Sequence, residues 1–228
     1  MMSLILQIET ATTVCSVALS ENGSVLAHKE IQQRNVHAEV ITLFIDEVLK
    51  MAGKQYRQLN AVAVSCGPGS YTGLRIGISV TKGLCYSLDI PFIAVETLEA
   101  MTDGMIAETS DNDVLFCPMI DARRMEVFTA IFDAEGQRIR STSAEIIDQY
   151  SFSDLLKTNK IIFFGDGAAK CSEVLGANPH VQIIPDFQNS ALHLTEKATE
   201  KFINKDFEDT AYFEPYYLKD FIAGKKSV

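Results

Sequence analysis

The run Gly67-Pro68-Gly69-Ser70-Tyr71-Thr72-Gly73-Leu74-Arg75-Ile76-Gly77 is the most unusual stretch of this sequence. An apolar strand, a glycine-rich turn and a helix start, in that order, expose backbone N–H groups that can hold an anion. Spacing excludes two familiar phosphate loops. A Walker loop needs Lys after its last glycine, and here Leu74 follows Gly73. The dinucleotide fingerprint needs its third glycine one residue before Gly73. Ser70 is the residue type that caps a helix N-terminus. Gly73 and Gly77 are four apart, so they share one helix face. Glycine inside a helix costs about 1 kcal/mol relative to alanine. The pair therefore predicts a backbone contact that a β-carbon would block, with a closely packed partner helix favoured over a ligand.

Other reactive residues do not assemble into a site. His37 is followed four residues later by Ile41, and His28, His180 and His193 have no His or Cys at helical ligand spacing. No metal site is predicted. The cysteines, Cys15, Cys66, Cys85, Cys117 and Cys171, are odd in number and lack any C-x-x-C pair, which excludes zinc and thioredoxin-like readings. They read as small buried hydrophobes in a reducing compartment. A serine or cysteine hydrolase needs a nucleophile, a base and an orienting acid. The sequence has no Gly-x-Ser-x-Gly, and Ser70 is accounted for as a cap.

The elements that position these residues follow from periodicity. Leu4 to Glu9, Val14 to Ser20 and Ser24 to Ile31 read as a three-strand meander, with the hydroxyl-rich turn Thr10-Ala11-Thr12-Thr13 between the first two. A helix is predicted from Val36 to Met51, capped by Asn35 and ended by Gly53. Its apolar residues fill far more than one stripe, leaving Glu39, Thr42, Asp46 and Lys50 a narrow polar face. Such a helix needs two burial surfaces, its own sheet and a second domain or chain. Ala61 to Cys66 is a continuous apolar strand, as in the middle of a parallel or mixed sheet. The Ser70-capped helix reaches about Ser87, a strand follows at Pro91 to Val95, and Thr97 opens another helix.

After the polar stretch Glu108 to Asp113 the pattern restarts with strands at Val114 to Ile120, Met125 to Phe132 and Gln137 to Ile147. Then come a helix near Phe152 to Lys157, a strand Ile161 to Phe164, Gly165-Asp166-Gly167, a helix Ala168 to Leu175 and a long helix near Ser190 to Asn204. Three strands followed by helix–strand units in both halves predict a pseudo-duplicated α/β protein with mixed sheets. The expected lobes are 1–108 and 109–228, with the last helix packing back on the first lobe.

The 228 residues are 47% hydrophobic and 22% charged, enough for a core without staples. The N-terminus lacks a basic region and a long apolar run, so neither a signal peptide nor a membrane span is expected, and the cytoplasm is the expected location. The net charge is −10. Direct nucleic-acid binders usually present a basic face. The short groups Arg123-Arg124 and Lys225-Lys226 do not supply one, so any RNA contact is expected to come through another subunit.

The Gly67 to Gly77 run, followed by Lys82-Gly83-Leu84, resembles the signature of the TsaB (YeaZ) family. Glu9-Thr10, His37-Ala38-Glu39, Asp121-Ala122-Arg123-Arg124 with Glu126-Val127-Phe128, Gly165-Asp166-Gly167 and Tyr216-Tyr217-Leu218-Lys219 are similar to further family blocks in the same order. The resemblance implies an actin-like ATPase (ASKHA) fold with two RNase-H-like lobes, the second reduced. It implies a non-catalytic subunit of the tRNA threonylcarbamoyladenosine (t6A) machinery. That subunit pairs with and activates a TsaD-type catalytic subunit, works with a TsaE-type ATPase, reaches tRNA through the complex and forms a homodimer when alone. TsaD-type subunits hold their metal through two histidines four apart on the first helix, and Ile41 breaks that pair here. The first two helices form the family's partner contact. The expected interface is therefore His37, Glu39, Ile41, Phe44, Gly69, Ser70, Tyr71, Thr72, Gly73, Arg75, Gly77 and Lys82. ATPases of this fold carry Asp where Glu9 stands. The resemblance thus leaves room only for a weak or interface-shared ATP or ADP site at Glu9, Thr10, Thr12, Gly165 and Gly167, with no cofactor required. The competing reading is a stand-alone, kinase-like ATPase.

Overall fold

The structure, a computed structural model, describes residues 3–219. The Lys225-Lys226 pair lies outside the described residues. Fifteen strands and helices run in the order β1 (Leu4–Glu9), β2 (Val14–Glu21), β3 (Ser24–Gln32), α1 (His37–Met51), β4 (Ala61–Ser65), α2 (Tyr71–Leu88), β5 (Phe92–Val95), α3 (Thr97–Glu108), β6 (Val114–Asp121), β7 (Glu126–Phe132), β8 (Arg138–Ile146), β9 (Lys160–Phe164), α4 (Ala168–Leu175), β10 (Val181–Ile184) and α5 (Thr195–Asn204). The first sheet has the order β3-β2-β1-β4-β5 and the second β10-β9-β6-β7-β8. Each is an antiparallel meander whose first strand also pairs in parallel with the fourth, as in Ile8 opposite Val17 and Val64, and Cys117 opposite Phe163. The two halves therefore share one topology, the duplication expected from the repeated pattern.

Alternation along the central strands sorts side chains between two layers. In β1, Leu4, Leu6 and Ile8 join the cluster under α1 and α2, while Ile5 faces Ala100 of α3 and Leu194, Ala198 and Phe202 at α5. In β6, Leu115, Cys117 and Met119 face α4, while Val114, Phe116 and Ile120 face Leu98, Met101 and Met105 of α3. Helix α5 packs on β5 and β1. The second lobe is reduced: the short 3-10 turn Leu155–Lys157 stands where α1 stands in the first, and α4 has 8 residues against 18 in α2.

Several local expectations are corrected. Asn35 adopts a left-handed φ of 63° and does not cap α1, whose N-cap is Val36. The helix expected near Phe152 to Lys157 is only that 3-10 turn, and the helix expected from Ser190 splits into a 3-10 turn, Ala191–Leu194, followed by α5. Strand β10 was not anticipated. Helix α1 finds its second burial surface within its own chain, in the angle between β2, β3 and α2. His37, Ile41, Phe44, Ile45, Val48 and Leu49 are all buried there, and of its large apolar residues Leu43 and Met51 stand bare.

Candidate functional site

The signature loop leaves β4 and lies directly on the β1–β2 turn. Ser70 caps α2, its hydroxyl accepting from the Gly73 N–H at 3.2 Å, and its own N–H donates to the Ala11 carbonyl at 2.7 Å. A β-carbon on Gly69 would stand 2.6 Å from the Ala11 carbonyl oxygen. One on Gly73 would overlap the Thr10 carbonyl oxygen, and one on Gly77 the Thr10 hydroxyl. The Thr10 hydroxyl donates to the Gly73 carbonyl at 2.9 Å. The close backbone contact implied by these glycines is real, but it is internal. The turn of the same chain occupies the place expected for a partner helix at Gly69, Gly73 and Gly77; Gly73 and Gly77 are buried and Gly69 is half-buried.

The same packing surrounds the expected nucleotide residues of the β1–β2 turn. Glu9 is 1% exposed, and its Oε1 accepts from the Ala11 N–H at 2.5 Å and from the Ser65 hydroxyl at 3.0 Å. Burial pushes its carboxyl up to about 7, against the pull of those two bonds. Thr10 and Thr12 are buried, the Thr12 hydroxyl accepting from the Val14 N–H at 3.3 Å. Gly165 takes a φ of 100° where a β-carbon would stand 2.5 Å from the Met119 carbonyl oxygen. The Gly167 N–H donates to that same oxygen at 2.9 Å. Each of these five residues is packed against the chain's own backbone or side chains. Among the described residues no group of three or more His, Cys, Asp or Glu could hold a metal ion, and no helix is long and apolar enough to cross a membrane.

The remaining interface candidates divide. Buried His37 places Nε2 3.1 Å from the Val14 carbonyl oxygen, Phe44 belongs to the core, and Ile41, also packed in the core, borders the groove between α1 and α2. Glu39, Ser70, Thr72 and Arg75 are exposed, with Tyr71 and Lys82 half-buried. The C-terminal segment reaches this face. Arg75 Nε donates to the Tyr217 hydroxyl at 3.1 Å, its guanidinium lies 4.4 Å above the Tyr71 ring, and Tyr71 and Tyr217 have ring centroids 5.0 Å apart. Lys82 Nζ donates to the Ala211 carbonyl at 3.2 Å. Beside them a groove of about 490 Å³ runs between α1 and α2, bordered by Ala38, Thr42, Thr72, Arg75 and Ser79.

Sequence reasoning missed three residues on this face: Ser79, Gly83 and Tyr86. A β-carbon on Gly83 would meet nothing within 4 Å, so no internal packing explains that glycine. Tyr86 is 87% exposed. The signal was available: Thr72, Arg75, Ser79, Gly83 and Tyr86 recur at three- and four-residue intervals, which places them on one side of a helix.

The fold defines a class, a two-lobed α/β protein of the actin-like ATPase fold. A protein described as similar to peptidase YEAZ, from Pseudomonas aeruginosa, superposes with a TM-score of 0.84 at 24% identity, covering 95% of this chain and 100% of that one. YeaZ from the same organism gives 0.80 at 22%, again over 95% and 100%. The family described as "TsaD: tRNA N6-adenosine threonylcarbamoyltransferase" matches residues 24–220. The tRNA threonylcarbamoyladenosine biosynthesis protein TsaB of Haemophilus influenzae is 30% identical over 97% of this chain and 96% of that protein. The corresponding Escherichia coli protein is 40% identical over 59% of this chain and 57% of its own length. The chain belongs to the TsaB (YeaZ) family.

Proposed function

We propose that this chain is an accessory subunit in t6A synthesis, pairing through the outer side of α1 and α2 with a TsaD-type catalytic subunit and activating it. The observation that carries this reading is the bare stripe of α2 around Gly83, beside the α1–α2 groove, on a chain whose first turn is filled by its own side chains. A glycine with free space on an exposed helix face suits close approach by another backbone. Glu9, held inside by the Ala11 amide and the Ser65 hydroxyl, is not placed to handle metal or phosphate, which speaks against a stand-alone ATPase. In this reading the chain needs no cofactor of its own, and any ATP or ADP sits at a site shared with its partner. The net charge of −10 agrees with tRNA being gripped by other subunits, with a TsaE-type ATPase completing the assembly. Without its partner the same face pairs two copies of this chain.

Light scattering of the chain alone, and mixed with the TsaD-type subunit of its own organism, tests the reading. A homodimer that gives way to a heterodimer, with tRNA modification requiring both chains, is the expected result. No complex, together with ATP turnover by this chain alone, overturns it.

A further inference from the structure

Arg75 is exposed on α2, yet its side chain is held in place. The guanidinium lies 4.4 Å above the Tyr71 ring, and Nε donates to the Tyr217 hydroxyl at 3.1 Å. Tyr217 belongs to the C-terminal segment, which the Tyr216 N–H fixes to the Cys66 carbonyl at 2.8 Å and Lys219 ties to Glu126 of β7. This hold uses one donor and one face of the guanidinium. Among the described residues the two terminal nitrogens of Arg75 make no hydrogen bond or ion pair. Glu214 acts on Arg75 through its field alone, without an ion pair. A guanidinium fixed in this way loses little side-chain freedom on binding and presents a planar fork that a carboxylate accepts with both oxygens.

A carboxylate without a partner stands on the same side of the molecule. Glu39 is exposed in the first turn of α1, and its side chain makes no hydrogen bond or ion pair among the described residues. Its neighbour Ala38 borders, together with Arg75, the groove of about 490 Å³ between α1 and α2, where Ile41, Ile76 and Val80 supply apolar wall. The outward charges of the two helices differ in sign. Glu39 and Asp46 precede Lys50 on α1, whereas α2 presents Arg75 and Lys82. In a two-fold pair a patch meets itself, so every contact is made twice. Laying α1 along α2 of a second copy sets carboxylate against cation twice. Laying α2 on α2 sets cation against cation, which opposes association.

We propose that two copies of this chain pair through these helices with the Arg75 fork of each on the Glu39 carboxylate of the other, and that Tyr217 is the residue that positions the fork. This rests on the reading of the outer side of α1 and α2 as a docking face. A phosphate group at Arg75 is opposed by Glu39 and Asp46 on the same side and by the net charge of −10.

Sedimentation equilibrium of the full chain tests this, with melting curves to show that each variant is folded. The parent should dimerise, less tightly as salt is raised. Glu39→Arg and Arg75→Glu should each weaken the dimer at least about tenfold, because like charges then meet twice. Mixed in equal amounts, the two variants should form a heterodimer about as tight as the parent dimer, since one contact is then native and the other reversed in polarity. Tyr217→Phe should weaken the parent dimer about threefold and have no further effect in a Glu39→Gln background, which a purely structural role would not produce. A parent that stays monomeric while still pairing with the TsaD-type subunit, reversals without effect on a folded dimer, or a mixture no tighter than either reversal alone each overturns the proposal and leaves the docking face standing. Equal losses from Tyr217→Phe in both backgrounds overturn its positioning role. Loss of all pairing with the TsaD-type subunit and of the homodimer in the parent overturns the docking face as well.

Discussion

Gly77 and Gly83 lie on one helix in opposite surroundings. A β-carbon at Gly77 collides with the Thr10 hydroxyl, whereas one at Gly83 meets nothing. Overpacking a tight site costs about 1–3 kcal/mol, occasionally more, and relief of a helical glycine returns up to about 1 kcal/mol. Urea denaturation should therefore find Gly77→Ala destabilised by ~2 kcal/mol and Gly83→Ala unchanged or slightly stabilised. In the mixing experiment Gly83→Ala should still weaken pairing. A Gly83→Ala protein that pairs normally would remove this glycine from the interface. Sequence alone could not separate the two, because glycine spacing says that something approaches closely and not whether it comes from inside.

Glu9 gives a prediction with a definite sign. Its carboxyl titrates near 7 in the folded chain, against an ordinary 4.5, because burial disfavours the charge. Between those pH values the folded state holds the proton that the unfolded state has lost, so stability falls as pH rises through this window. The cost is complete above pH 7 and absent below pH 4.5. Glu9→Gln keeps an oxygen for the Ala11 and Ser65 donors and removes the charge. It should be more stable than the parent by up to ~3 kcal/mol at pH 8, since each tenfold change in proton affinity is worth about 1.4 kcal/mol, and equal to it at pH 4. Parallel stability curves for the two proteins across that range would contradict the assignment.

At the scale of elements, strongly patterned segments were legible and segments set by tertiary contact were not. Strand β1 and helix α4 fall where hydrophobic pattern places them. The helix expected through Ser190 is interrupted because its N-terminal part is held elsewhere: the Ser190 hydroxyl donates to Glu30 at 2.7 Å, and the Ala191 N–H donates to the Ser16 hydroxyl at 2.9 Å. These partners lie far away in sequence, beyond the reach of any local window. Strand β10 is a short, half-exposed edge paired only with β9, with too few residues to display a period. The C-terminal segment was legible as a motif but not as a strap. Glu208 bridges to Phe92, the Tyr216 N–H donates to the Cys66 carbonyl at 2.8 Å, and Phe213 meets buried Phe92 edge-on with centroids 4.8 Å apart. Phe213→Ala should cost ~2 kcal/mol, below the usual range for a fully buried ring because Phe213 is only half-buried. It should also raise proteolysis of the strap ahead of global unfolding. Unchanged cleavage would mean the strap is held by its hydrogen bonds alone.

For the whole molecule, the crossing helices decide how it unfolds. The inner face of the first sheet, through Ile5, Ala61, Ala63, Ile93 and Val95, is covered by Ala100 of α3 and by Leu194, Ala198 and Phe202 from the second half of the chain. The inner face of the second sheet is covered by Leu98, Met101 and Met105 from α3, an element of the first half. Arg138 of β8 adds a fork to the start of α3, donating to Glu96 Oε1 at 3.0 Å and to Glu99 Oε1 at 2.9 Å. Neither sheet can bury its inner face with its own half alone, so the two lobes should melt as one unit. Scanning calorimetry should show a single transition with calorimetric and van't Hoff enthalpies in agreement, ~160 kcal/mol for 228 residues at about 0.7 kcal/mol each. The fragment 1–108, cut at the polar stretch that the sequence marks as a boundary, lacks the α5 cover over Ile5 and Ile93 and should remain unfolded or aggregate. Two resolved transitions, or a fragment with dispersed amide resonances and a cooperative melt, would show that each lobe stands alone and that α3 and α5 only dock between them.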